Sequence, residues 1–180
     1  MTSRHRPLFS SPLRRISGAT LWRALLLTTL LLGPARAVLA QDEYYSISPA
    51  SFQDRDPVSD DNYFDPVAGS FFVEGGGGGC LYAPVHLPDG VTILGLVMHY
   101  EDVGAGTLAA GIHRKSLHSE DNSENLGYVE STGSAPGVRV AVDLTIVNGA
   151  VDLENYAYFA VVCLPSFQAH LHGVYLSFTR

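Results

Sequence analysis

Cys80-Leu81-Tyr82-Ala83-Pro84-Val85-His86-Leu87-Pro88-Asp89-Gly90-Val91-Thr92-Ile93-Leu94-Gly95-Leu96-Val97-Met98-His99-Tyr100-Glu101-Asp102 reads as two strands joined by a turn. Pro88 presets its own φ and Gly90 accepts a positive one, so Pro88-Asp89-Gly90 is a turn with a stated cause. Pro84 has no N–H to give to a ladder, which marks Leu81–Leu87 as an edge strand or a bulge. Val91–Asp102 is the longest strand. Leu94, Leu96, Met98 and Tyr100 share one parity and Ile93, Gly95, Val97 and His99 the other, as expected of a central strand.

Strand and turn signals continue to alternate on both sides of this stretch. Downstream lie Thr107–Lys115, a polar loop over 116–125, Leu126–Ser131, Val138–Val147, Asn155–Leu164 and Leu171–Thr179. In Val138–Val147 the alternation puts Val138, Val140, Val142, Leu144 and Ile146 toward a core, with Arg139, Asp143 and Thr145 outward. Upstream, Tyr44–Ser48 and Phe71-Phe72-Val73 are short strands, and Gly75–Gly79 is a connector. No Gly-Lys-Ser/Thr follows those glycines, so they form no phosphate loop. Eight or nine strands without an amphipathic helix predict an all-β fold: an antiparallel β-sandwich with jelly-roll or Greek-key connections.

The chain divides by composition. Residues 1–40 hold six of the 11 basic residues and no acid. An arginine-bearing start, the apolar run Ala24–Leu32, the break Gly33-Pro34 and the small residues up to Ala40 make the layout of a secretory signal peptide. Cleavage fits after Ala40 (Val-Leu-Ala) or after Ala37 (Ala-Arg-Ala), the first preferred. The apolar run is too short for a permanent span, which needs about 20 residues, so no membrane anchor is expected after cleavage. Residues 41–79 form an acidic, Pro/Gly-rich segment with short strands, and 71–180 the sandwich domain.

Without residues 1–40, five basic residues face 18 acids, a net charge of −13. Such a domain repels phosphate backbones and anionic lipids, which argues against nucleic-acid and membrane-surface partners. Neutral ligands, cations and proteins remain as partner classes. Export to an oxidising compartment lets Cys80 and Cys163 close a disulfide, and two buried free thiols are the alternative. Closing a loop of this length is worth about 4.5 kcal/mol in the chain-entropy treatment.

Three stretches carry a resemblance: Ala83–Ile93, Val151-Asp152-Leu153-Glu154-Asn155-Tyr156-Ala157-Tyr158, and Leu171-His172-Gly173-Val174-Tyr175-Leu176-Ser177-Phe178. Together they resemble a group of short secreted bacterial β-sandwich proteins of uncharacterised function. The resemblance spans residues 80–180 and implies fold, with no catalytic residues to carry over.

Four candidate constellations follow. Asp54, Asp56, Asp60 and Asp61 cluster on one acidic loop and could supply oxygens to a structural calcium, or simply be solvated. His170 and His172, two apart on a strand, could bind zinc or copper with His86 or Glu101, or close the core face that carries Val174, Leu176 and Phe178. No Gly-x-Ser-x-Gly elbow supports a hydrolase. Aromatic residues, among them Tyr44, Tyr45, Phe71, Phe72, Tyr156 and Tyr158, suggest either sheet packing or a sugar platform. The favoured reading is a secreted non-catalytic surface, matrix or carbohydrate interaction module. A small extracellular hydrolase or metal-dependent enzyme and a structural envelope protein are the alternatives.

Overall fold

A computed structural model describes residues 42–54, 62–65, 68–73, 78–165 and 168–180. The leader, Asp56, Asp60 and Asp61 lie outside the described residues. Ala40–Arg180 forms one compact unit. No helix among the described residues is long and apolar enough to cross a membrane.

Eleven strands appear among the described residues: β1 Asp42–Ile47, β2 Gln53–Asp54, β3 Asn62–Asp65, β4 Ser70–Val73, β5 Gly79–Val85, β6 Thr92–Asp102, β7 Ala109–Ser116, β8 Glu124–Glu130, β9 Ala135–Asp143, β10 Tyr156–Leu164 and β11 Ala169–Thr179. The two beyond the expected number, β2 and β3, fall in the breaker-rich 41–70 segment. They are too short to leave a periodic signal. Pro49, Pro57 and Pro66 interrupt the segment on either side of them, so its sequence reads as loop.

The strands make two antiparallel sheets. One runs β3-β4-β11-β6-β9, with β1 also paired to β11; the other runs β2-β5-β10-β7-β8. From β4 onward the chain changes sheet at every step except the β7–β8 hairpin. Pairing β4-β11-β6-β9 over β5-β10-β7-β8 is a jelly roll.

Inward side chains of both sheets fill the core, with Leu81, Met98, Ile112, Val162, Leu171 and Leu176 fully buried. The Pro88-Asp89-Gly90 turn forms with Gly90 at φ 76°. It also anchors a distant loop. Gly90 N–H donates to the Val151 carbonyl at 2.9 Å, and Asp89 Oδ1 accepts from Leu153 N–H at 2.9 Å. Cys80 and Cys163 stand directly opposite each other on β5 and β10 and are joined as a disulfide, which fits an oxidising, extracytoplasmic environment.

Two orientations differ from the sequence reading. On β9 the valine row faces solvent: Val138, Val140, Val142 and Leu144 are 58%, 52%, 55% and 72% exposed. Of the residues expected inside, Ile146 alone packs against the core, joined there by Ala141. The reason lies at the rim of the sandwich, where loop carbonyls need donors that valine lacks. Arg139 turns inward and donates to the carbonyls of Thr132, Gly133 and Asp102 at 2.5, 2.8 and 2.9 Å, its guanidinium 5.1 Å from the Tyr100 ring centre. Asp143 also turns in, accepting the Tyr128 N–H at 2.9 Å.

The second difference is on β11. A register shift between Leu171 and Gly173 bulges the strand, so Leu171 and Val174 are both buried although three positions apart. His170 and His172 are thereby taken off the parity of Val174, Leu176 and Phe178.

Candidate functional site

The outer face of the five-stranded sheet carries a row of rings. On β5 the alternation buries Leu81, Ala83 and Val85 and turns Tyr82 and Pro84 outward. On β10 it buries Tyr158, Ala160 and Val162 and turns out Phe159 and Val161. On β7, Ala110 and Ile112 are inside, leaving His113 outward. Register then sets Phe159 opposite both Pro84 and His113, with Tyr82 one step along, opposite Val161.

The rings touch in sequence. Tyr82 and Phe159 have centres 6.2 Å apart and planes inclined by 38°. Phe159 and His113 lie nearly parallel, 5.4 Å apart at 13°. With strands about 4.8 Å apart, the row crosses about 10 Å of sheet. All three rings are half-buried, so each keeps part of its surface open.

Gly111 makes the row flat. A Cβ at that position would come within 2.9 Å of His113 Nε2, so a side chain there would lift the imidazole. Burial holds the His113 pKa below the ordinary histidine value, which favours the neutral ring. Its buried Nδ1 has no hydrogen-bond partner among the described residues.

One wall of the site is β2. It pairs with Tyr82 and Leu81 only, and leaves Pro84 beyond its reach. Gln53, Asp54, Tyr82, Pro84, Ala157 and Phe159 border an open groove of about 620 Å³. Asp54, a residue singled out for calcium, thus sits on the wall of an aromatic groove. The arrangement offers apolar ring faces with an amide and a carboxylate at the rim. It has the chemistry to hold a neutral, hydroxylated ligand with flat apolar faces.

The opposite face, on the six-stranded sheet, gathers the histidines. Tyr44, 66% exposed, meets Tyr175 edge to face at 5.7 Å, and Tyr175 lies 5.6 Å from His99. His170 stands opposite Glu101 and lies 5.6 Å from the Phe72 ring. His172 and His99 line a cleft of about 400 Å³ with Ser46, Ser48 and Gly173. Burial lowers the His172 pKa; Glu101 opposes this, and the charges of His170 and His99 add to it. Glu101 and three histidines are near neighbours here, yet no three His, Cys, Asp or Glu among the described residues are placed to hold a metal ion together.

Several aromatic residues weighed from the sequence are structural. Phe71 and Tyr158 are buried, and the Tyr158 hydroxyl accepts from Asp152 N–H at 3.0 Å. Tyr156 lies under the Arg114 guanidinium, 4.2 Å from its ring centre. Tyr82, Phe159 and His113 were not singled out. The outward parity of their strands held the signal, but no local pattern says that β5, β10 and β7 are neighbours.

No family model matches the chain, and no curated protein matches it. Among solved structures it is similar to an Eiger TNF from S. frugiperda, at 12% identity and a TM-score of 0.38, covering 76% of this chain and 84% of that one. It is also similar to the CBM22-1–GH10 modules of Clostridium thermocellum endo-1,4-beta-D-xylanase 10B, complexed with xylohexaose. That match has 15% identity and a TM-score of 0.38, covering 77% of this chain and 28% of that one.

Proposed function

We propose that this protein is an exported, non-catalytic β-sandwich module that binds a neutral glycan on the Tyr82–Phe159–His113 row. The observation that carries the reading is the row itself: three touching, half-buried rings on a continuous sheet face beside a groove. Pyranose rings present flat C–H faces that pack on aromatic rings, and their hydroxyls need donors and acceptors at the edge. Gln53, Asp54 and the Tyr82 hydroxyl supply those. The net charge of −13 over residues 41–180 disfavours anionic ligands and leaves neutral ones.

Affinity electrophoresis of the Ala40–Arg180 unit through gels containing neutral polysaccharides (xylan, mixed-linkage β-glucan, glucomannan) tests this. Retardation in at least one gel is expected. Tyr82→Ala and Phe159→Ala should each weaken binding about 10- to 100-fold, as removal of a central aromatic contact does. Free migration of the wild type in every gel would overturn the proposal.

A further inference from the structure

We infer that β9 is a self-association edge, and that two copies of this chain join through it across a two-fold axis into one continuous sheet. β9 ends the six-stranded sheet, so among the described residues one of its edges has no strand beside it. Natural edge strands are commonly guarded by lysines or prolines. Here Pro136 stands at the start only, and every outward side chain from Val138 to Leu144 is apolar and more than half exposed.

The sequence of β9 indicates which partner fits. Val138-Arg139-Val140-Ala141-Val142-Asp143-Leu144 is close to symmetric about Ala141. In an antiparallel pair centred on Ala141, Val140 faces Val142 of the second copy, Val138 faces its Leu144, and Arg139 faces its Asp143. All apolar positions then meet apolar positions on the outer face, and on the inner one Arg139 and Asp143, each held by its own subunit, stand at positions opposite the other sign. Sliding the partner by four residues sets Arg139 against Arg139 or Asp143 against Asp143. Sliding by two leaves both charges without an opposite.

Charge over the whole surface favours the same edge. Two copies at −13 each repel one another, and residues 135–147 carry one arginine and one aspartate, a net of zero. In this register the segment itself brings no like charges together. Paired isologously, two six-stranded sheets become one of twelve, and the glycan-binding faces on the other sheets stay open.

Sedimentation velocity of the Ala40–Arg180 unit from about 1 µM to about 1 mM, the range of ordinary affinities, tests the inference. The wild type should sediment as a dimer in the upper part of that range. V140K/V142K puts like charges opposite each other and should be monomeric throughout, with an unchanged circular dichroism spectrum. V140E/V142K puts a new carboxylate opposite the partner's new ammonium and should restore the dimer. A wild type that stays monomeric overturns the inference in favour of a foreign strand or another ligand at β9. So does a V140K/V142K dimer, or a V140E/V142K variant that stays monomeric.

Discussion

Phe159 lies nearly parallel to His113, ring centres 5.4 Å apart, and Gly111 beside them is what allows it. Gly111→Ala would bring a Cβ to 2.9 Å from His113 Nε2 and push the imidazole off the row. The expected result is about tenfold weaker glycan retention with a stability loss of roughly 1 kcal/mol. Affinity electrophoresis and urea unfolding on the same protein separate the two effects. Unchanged retention would show that the flat stack is not part of the binding surface.

Stability should fall in two steps as the solution is acidified. Burial lowers the folded pKa of His113 and of His172, while in the unfolded chain both titrate near about 6.5. Between those values the unfolded chain holds more protons, so stability rises with pH and is lost as pH falls below about 6.5. A second loss follows in the carboxylate range. Hydrogen bonds from Asn148 and Arg114 lower the Glu124 pKa, and those from Asn155 lower that of Asp152. Their stabilisation is full above about 4.3 and is lost progressively as pH falls toward the lowered folded values. Urea midpoints measured against pH check this, and H113Q/H172Q should remove the upper stage alone.

Ser131 Oγ donates to buried Asp102 Oδ2 at 2.6 Å and accepts from Leu108 N–H at 3.0 Å. Ser131→Ala leaves a buried carboxylate oxygen and a backbone N–H without these partners. The expected cost is about 1–3 kcal/mol, measured by urea unfolding. A change within error would mean that water replaces the hydroxyl at no cost.

Cys80 and Cys163 close a loop spanning a sequence separation of 83. C80S/C163S should lose about 4.5 kcal/mol, mainly through a freer unfolded chain. Calorimetry of the oxidised protein, the reduced protein and the double variant checks this, and the last two should agree with each other. None of Tyr82, Phe159 and His113 is part of the bridge, so the retention of polysaccharide proposed above should persist at low temperature.

Much of the fold was legible locally. The β6 pattern, the Pro88-Asp89-Gly90 turn and the run of short strands after Cys80 led to an antiparallel sandwich because each rests on backbone chemistry within a few residues. With two cysteines only, Cys80–Cys163 is the one bridge the sequence allows, and the β5–β10 register closes it in place of two free thiols. Strand β2 leaves no signal in the sequence because two residues carry no period.

Orientation and adjacency were another matter. Alternation on β9 separates two faces, but which face turns inward depends on what waits at the rim. There, carbonyls of Thr132, Gly133 and Asp102 draw Arg139 in and leave the valines outside. On β11 one bulge moves His170 and His172 off the core parity. The sequence by itself determined the class of fold, its turns and its charge, all set by residue type and short-range geometry. Only the tertiary structure decided that Tyr82, Phe159 and His113 form one row and that β9 ends a sheet. Strand order is set by contacts between distant parts of the chain, and a side-chain period of two records nothing about the neighbour across the ladder.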